Sequence, residues 1–202
     1  MKKKNFSLVE LLCATALVVI LAGIGFSAYS YASYRGKEAA TKSLIARVGA
    51  GLETLKTKHG FYPATTTSGT GSNRTQNFAR IIITMDNNGI ISAVKFKKDS
   101  NLLAEINDPK KVKDFLAVAD AENIKKNLVL DSGTDYFLTD SWGGKIYYAY
   151  PGFFNTVKFD IIAPGADGEF TTSNQSTPGS SISNYKDTNS NEWNCDDIAN
   201  FK

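Results

Sequence analysis

The chain holds one histidine and two cysteines among its 202 residues, and that scarcity removes several function classes. No cysteine and histidine spacing suits a structural zinc. No glycine-rich segment matches a phosphate-cradling loop. The lone His59 ends a helical pattern, where a cation favours the helix dipole, so it reads as a capping residue and not as a base. Ser183-Asn184-Tyr185-Lys186 fits a Ser-x-x-Lys spacing, but within a polar stretch instead of a helix start. The composition supports no enzyme. Cys13 sits in an apolar run and Cys195 near the C-terminus, so the two do not make a disulfide framework. Cys13 reads as a small apolar packing residue and Cys195 as a buried or free thiol.

Charge is also scarce. Lys2, Lys3 and Lys4 account for the whole formal net charge of +3, which is too small and too local to suggest nucleic acid as a partner. From Leu11 to Tyr34 there is no charged side chain for 24 residues. As a helix this run spans roughly 36 Å, more than the roughly 30 Å hydrocarbon core of a bilayer. Basic residues stay on the cytoplasmic side, so the C-terminal bulk is exported. A cleavable secretory signal has a similar basic start. The length of the apolar core and the acid Glu10 at its front argue against that reading.

The helical pattern continues past the apolar run. Leu44, Val48, Leu52 and Leu55 recur at helical spacing, with Lys42, Arg47, Glu53 and Lys56 between them, which predicts an amphipathic face. Gly49 and Gly51 weaken this helix without ending it, and His59-Gly60 with Pro63 stops it. One helix from about Ser7 to Lys58 would be roughly 78 Å long, half in lipid and half roofing a globular domain. Ala64 to Gln76 reads as a loop. Ile81-Ile82-Ile83 and Ile90 to Phe96 flank Asp86-Asn87-Asn88-Gly89, a hairpin signal. Asp108-Pro109 caps a short helix with Val112, Phe115, Leu116 and Ala119 on one face. Further strands are expected at Leu128 to Leu130, Lys145 to Tyr150 and Val157 to Ile162. Thr171 to Asn194 is rich in Ser, Asn and Thr, a solvated loop. The fold class expected is α+β, a long N-terminal helix on a small antiparallel sheet with a C-terminal loop.

Two separated sets of residues resemble one family. Lys2-Lys3-Lys4-Asn5-Phe6-Ser7-Leu8-Val9-Glu10-Leu11-Leu12, followed by the apolar run, resembles the leader of type IV pilins and type II pseudopilins. Asp140-Ser141-Trp142-Gly143-Gly144-Lys145-Ile146-Tyr147-Tyr148 resembles the Asp-Pro-Trp-Gly-x-x-Tyr segment of type II secretion major pseudopilins. Pro151-Gly152, Phe159-Asp160-Ile161, Pro164-Gly165-Ala166-Asp167-Gly168 and Asp197-Ile198 resemble that family's later segments, in the same order. His59-Gly60-Phe61-Tyr62-Pro63 resembles the segment closing its first helix. The resemblance covers roughly residues 1–63 and 136–201, and leaves 64–135 unmatched. Asn5 stands where the family has Gly, and Ser27 stands near the place of a helix-bending Pro.

The resemblance implies a leader over residues 1–5, a transmembrane helix over 6–34 and a periplasmic pilin-like domain over 35–202. A prepilin peptidase would cut after Asn5 and methylate Phe6 as the new N-terminus. Glu10 would be the assembly residue. A carboxylate deep in a lipid-facing helix costs roughly 2.5–3.5 kcal/mol and needs a partner, and the freed α-amine of an adjacent subunit supplies one at similar depth. The subunit would polymerise into a helical pseudopilus, with minor pseudopilins and an inner-membrane assembly platform as partners and no nucleic acid bound directly. A type IV pilus subunit for adhesion, motility or DNA uptake is the alternative, and a membrane-anchored module that never polymerises is a third.

The family's C-terminal loop binds Ca²⁺. By motif position the carboxylates of Asp167 and Asp197 and the backbone carbonyl of Pro164 would be ligands. The oxygen-rich loop suits a hard cation that takes about six to eight oxygens. Asp187-Thr188-Asn189-Ser190-Asn191 imitates the start of an EF-hand loop, but Glu192 replaces the turn glycine and Ile198 the closing acid. It reads as a source of extra ligands and not as an EF-hand.

Overall fold

The computed structural model describes residues 8–66, 77–170, 178 and 198–200. The chain forms two compact units, Met1–Lys37 and Glu38–Lys202. A single helix, α1 (Leu8–His59, 52 residues), contributes to both. In the first unit every described residue is exposed, and this part of the helix is long and apolar enough to cross a membrane. The Thr15, Ser27 and Ser30 hydroxyls there donate to the backbone carbonyls of Leu12, Gly23 and Phe26, so these three hydroxyls are satisfied within the helix.

In the second unit α1 has a buried face of Thr41, Leu44, Ile45, Val48, Gly51, Leu52 and Leu55. That is the face expected from spacing, extended by one turn at its start. Gly51 is more than a tolerated weakness. A Cβ there would fall 2.8 Å from the Phe115 ring and 3.0 Å from the Ala119 Cβ, so its lack of a side chain lets the second helix approach. At the helix end Gly60 takes φ +80° and its N–H donates to the Lys56 carbonyl, a glycine stop.

The remaining elements are β1 (Ala79–Met85), β2 (Ile91–Lys98), β3 (Asn101–Ile106), α2 (Pro109–Ala119), α3 (Ala121–Lys126), β4 (Leu128–Ser132), β5 (Asp135–Leu138), β6 (Tyr147–Ala149), β7 (Asp160–Ala163) and β8 (Ile198–Ala199). The strands form one sheet in the order β3-β2-β1-β6-β7-β8, with β5 also paired to β1 and to β4. Every pairing is antiparallel. One edge of β1 therefore serves two partners, Ala79 and Arg80 facing β6 and Ile82 to Thr84 facing β5. This explains why Ile81, Ile82 and Ile83 are all buried: β1 is the central strand and is covered on both faces.

The β1–β2 hairpin and α2 agree with the sequence reading, and Asp108 accepts from the Lys110 and Lys111 amides as the N-cap of α2. The strand expected from Val157 starts at Asp160 instead. Val157 is 86% exposed, in a turn whose amides are drawn to the Asp160 carboxylate. β3, α3, β5 and β8 are additions.

The main core lies between the α1 and α2 faces and one side of the sheet, with Val94, Phe96, Phe115, Tyr148, Phe159 and Ile161 at its centre. A second cluster of Phe78, Tyr147, Ala149, Ile162 and Phe170 covers the opposite side. The alternation of Tyr147 with Tyr148 and of Ile161 with Ile162 between these clusters is the two-residue period of a strand.

Candidate functional site

The candidate assembly residue and the candidate metal loop occupy different parts of the chain. Glu10 lies in the first turn of α1 and is exposed. The side chains that follow it are apolar and open: Leu11, Leu12, Val18, Val19, Leu21, Ile24 and Phe26 are 62–74% exposed. The apolar sleeve behind it is what needs a cover. Asn5 and Phe6, the candidate cleavage pair, lie outside the described residues.

In the second unit two aspartates of the motif segments, Asp140 and Asp160, act as braces. Asp140 is 3% exposed. Its Oδ1 accepts from the Trp142 amide at 2.9 Å and the Gly144 amide at 2.8 Å, and its Oδ2 accepts from the Gly165 amide at 3.1 Å. One carboxylate thus closes the Asp140–Gly144 turn and holds it to the Pro164–Gly168 turn. Glycine is required at two positions of the first turn. Gly143 takes φ +93°, and a side chain at Gly144 would overlap the Pro164 ring. Burial pushes the Asp140 carboxyl above its ordinary range, against the pull of the amides it accepts from. The same turn is fastened to α1, since the Ser141 amide donates to the Thr41 hydroxyl, which donates to the Ser141 hydroxyl.

Asp160 repeats the device. It is fully buried and accepts from the Phe154 amide at 2.7 Å and the Asn155 amide at 2.9 Å. Gly152 leaves room for it, because a Cβ there would fall 2.7 Å from Oδ1. Burial raises this carboxyl too. Tyr148 donates to the Pro63 carbonyl at 2.9 Å, and Tyr62 packs against Tyr150 and Phe159 at ring separations of 4.9 and 5.3 Å. The segments 59–63, 140–148, 151–152, 159–161 and 164–168 therefore assemble one junction between the end of α1, the β6–β7 hairpin and the turn after β7.

The metal candidates are only partly placed. Pro164 is buried and Asp167 is exposed at the tip of its turn, where Oδ1 accepts from the Glu169 amide at 2.9 Å. Asp197 and the segment 187–192 lie outside the described residues. Among the described residues no group of three or more His, Cys, Asp or Glu side chains is gathered. Asp140 is buried and its oxygens already accept three amides. The turn can offer one exposed carboxylate on a rigid support, and a hard cation there would need its other oxygens from elsewhere.

His59 does not simply cap its helix. Its Nε2 lies 3.0 Å from the Asp114 Oδ2, and the Lys58 ammonium lies 2.7 Å from Oδ1 of the same residue, which ties the end of α1 to α2. Asp135, which sequence reasoning passed over, receives Lys95 at 2.9 Å, Lys97 at 2.7 Å and the Thr84 hydroxyl at 2.7 Å. Only the sheet register brings these residues together. Compared with family models, with curated proteins and with solved structures, the chain matches none.

Proposed function

We propose that the chain is a structural subunit of the pseudopilus of a type II protein secretion system, with a pilin-like fold, and that it polymerises through α1. The observation that carries this reading is the apolar, fully exposed start of α1 with one acid at its front. Burying a large aliphatic side chain is worth about 1.5–3 kcal/mol. A sleeve of such residues has to be covered, by lipid before assembly and by neighbouring copies of the helix afterwards. The lysine leader places the N-terminus in the cytoplasm and the sheet-bearing unit in the periplasm, with the subunit held in the inner membrane until extraction. Prepilin peptidase, the minor pseudopilins and the assembly platform are the partners that this reading requires.

Replacing Glu10 tests it. Glu10→Ala removes a charge from the lipid-facing helix, so membrane insertion should be intact or improved. The register contact with the neighbouring α-amine is lost, so filament yield by subunit cross-linking should drop sharply. Unchanged cross-linking at normal expression would remove Glu10 from the mechanism.

Calcium belongs to the same reading. An ion joining Asp167 to Asp197 would stabilise the native state by about 2.7 kcal/mol at a hundredfold excess over Kd, several degrees in Tm for a domain of this size. Residues 35–202 should therefore melt higher in Ca²⁺ than in chelator, with a much smaller rise in Mg²⁺. Asp167→Ala and Asp197→Ala should each abolish most of the rise. Identical melts of the unaltered protein in Ca²⁺ and chelator would retire the site.

A further inference from the structure

The end of the apolar run carries a feature that the assembly reading does not use. Tyr29, Tyr31 and Tyr34 fall within six residues and are 72%, 64% and 37% exposed. Arg35, the first charge after the run, donates from Nε to the Tyr31 hydroxyl at 3.2 Å, and its guanidinium carbon lies 5.4 Å from the centre of the Tyr31 ring. Tyr31, Tyr34 and Arg35 are spaced i, i+3 and i+4, so they share one helix face. Tyrosine has an apolar body and a polar tip, and collects where hydrocarbon meets headgroups. A guanidinium matches the oxygens of a phosphate.

We propose that the Tyr31–Arg35 couple is a lipid-binding anchor, which engages phospholipid headgroup phosphates at the bilayer face nearer the C-terminus and so fixes the depth of α1. The inference rests on the reading that this helix spans a membrane, and it deepens it. Counting back from Tyr31 over a hydrocarbon core of roughly 30 Å, at about 1.5 Å per residue, reaches Leu11. Glu10 then sits at the opposite boundary and not in mid-bilayer. Before assembly it can keep its charge beside water, and it meets hydrocarbon only when the helix is drawn outward. The anchor thus holds the subunit at the depth from which extraction starts.

Removing the Arg35 charge leaves Lys37 as the next cation, two residues on. The helix should then settle about 3 Å nearer its N-terminal side. Cys13 is a built-in reporter of that shift, being exposed on the helix and two residues inside Leu11. The full chain with Cys195→Ser, spin-labelled at Cys13, is placed in vesicles of phosphatidylethanolamine and phosphatidylglycerol, and in vesicles of a phosphate-free glycolipid. In phospholipid the label should become shallower by about 3 Å in Arg35→Gln, and shift in the same direction in Tyr31→Leu. In the glycolipid these variants should match the parent.

Equal depths for parent and variants in phospholipid would overturn the anchor, and so would the same difference in both lipids, which would assign the effect to charge alone. A label open to water throughout in the parent would instead overturn the membrane-spanning reading.

Discussion

Asp140→Ala is expected to destabilise the native state by about 3 kcal/mol, since a buried amide left without its acceptor costs about 1–3 kcal/mol and this change strands three, the Gly165 amide buried and the other two half-buried. The Trp142, Gly144 and Gly165 amides all converge on that carboxylate, which is 3% exposed. Asp140→Asn separates the two turns. The amide oxygen can replace Oδ1 and keep the Trp142 and Gly144 bonds, but its NH₂ then faces the Gly165 N–H, donor against donor. The loss should be about half that of the alanine variant and confined to the Pro164–Gly168 turn. Urea unfolding of residues 35–202 gives the size of each effect, and amide exchange at Gly165 against Gly144 gives its location. Equal protection losses at both glycines in Asp140→Asn would contradict this division of labour. If Asp167 holds Ca²⁺, Asp140→Asn should also weaken the ion, because it loosens the support and leaves the ligand untouched.

Asp135→Asn should cost about 2 kcal/mol at neutral pH and almost nothing in strong acid. Burial pushes this carboxyl up, but the Lys97 and Lys95 ammonium groups and the Thr84 hydroxyl outweigh it and bring the pKa from 3.8 to about 2. A lowering of that size corresponds to about 2 kcal/mol. The native pKa is the lower one, so the stabilisation is complete above pH 3.8 and is lost as the pH falls through about 2. The stability difference between parent and variant, followed by denaturant unfolding from neutral pH downward, should close in that window. A difference that stayed constant would mean that Asp135 acts by packing or by its Thr84 bond alone. Breaking the cluster also leaves Lys95 and Lys97, side by side on β2, without their shared counter-charge, which adds to the cost at neutral pH.

The parts of the fold that were legible in the sequence are those built from contacts close along the chain. The Asp86–Gly89 turn, the Asp108-Pro109 cap and the Gly60 stop each need only a few neighbouring residues, and each falls where the pattern placed it. β3 and β5 were not legible. β3 has the burial of an edge strand, with Leu102 half exposed, and exists because β2 offers it a register. β5 is four residues long and is held from both sides by β1 and β4. Short strands of this kind carry little propensity of their own and are selected by their partners.

The candidate site divides along the same line. Composition and order alone determined the apolar run, the acid at its front, the three lysines before it and the helical face that follows, because a stretch without charge and a period of 3.6 are properties of the chain itself. Only the tertiary structure decided that Asp140 and Asp160 are braces, that Gly51 and Gly144 are required as points of close approach, and that Asp135 gathers two lysines. Those roles depend on residues far apart in the chain, such as Gly165 for Asp140 and Lys95 for Asp135. A carboxylate next to glycines looks the same in sequence whether it will bind an ion, accept amides or face solvent. Which of these it does is set by the groups that folding places within about 3 Å of its oxygens.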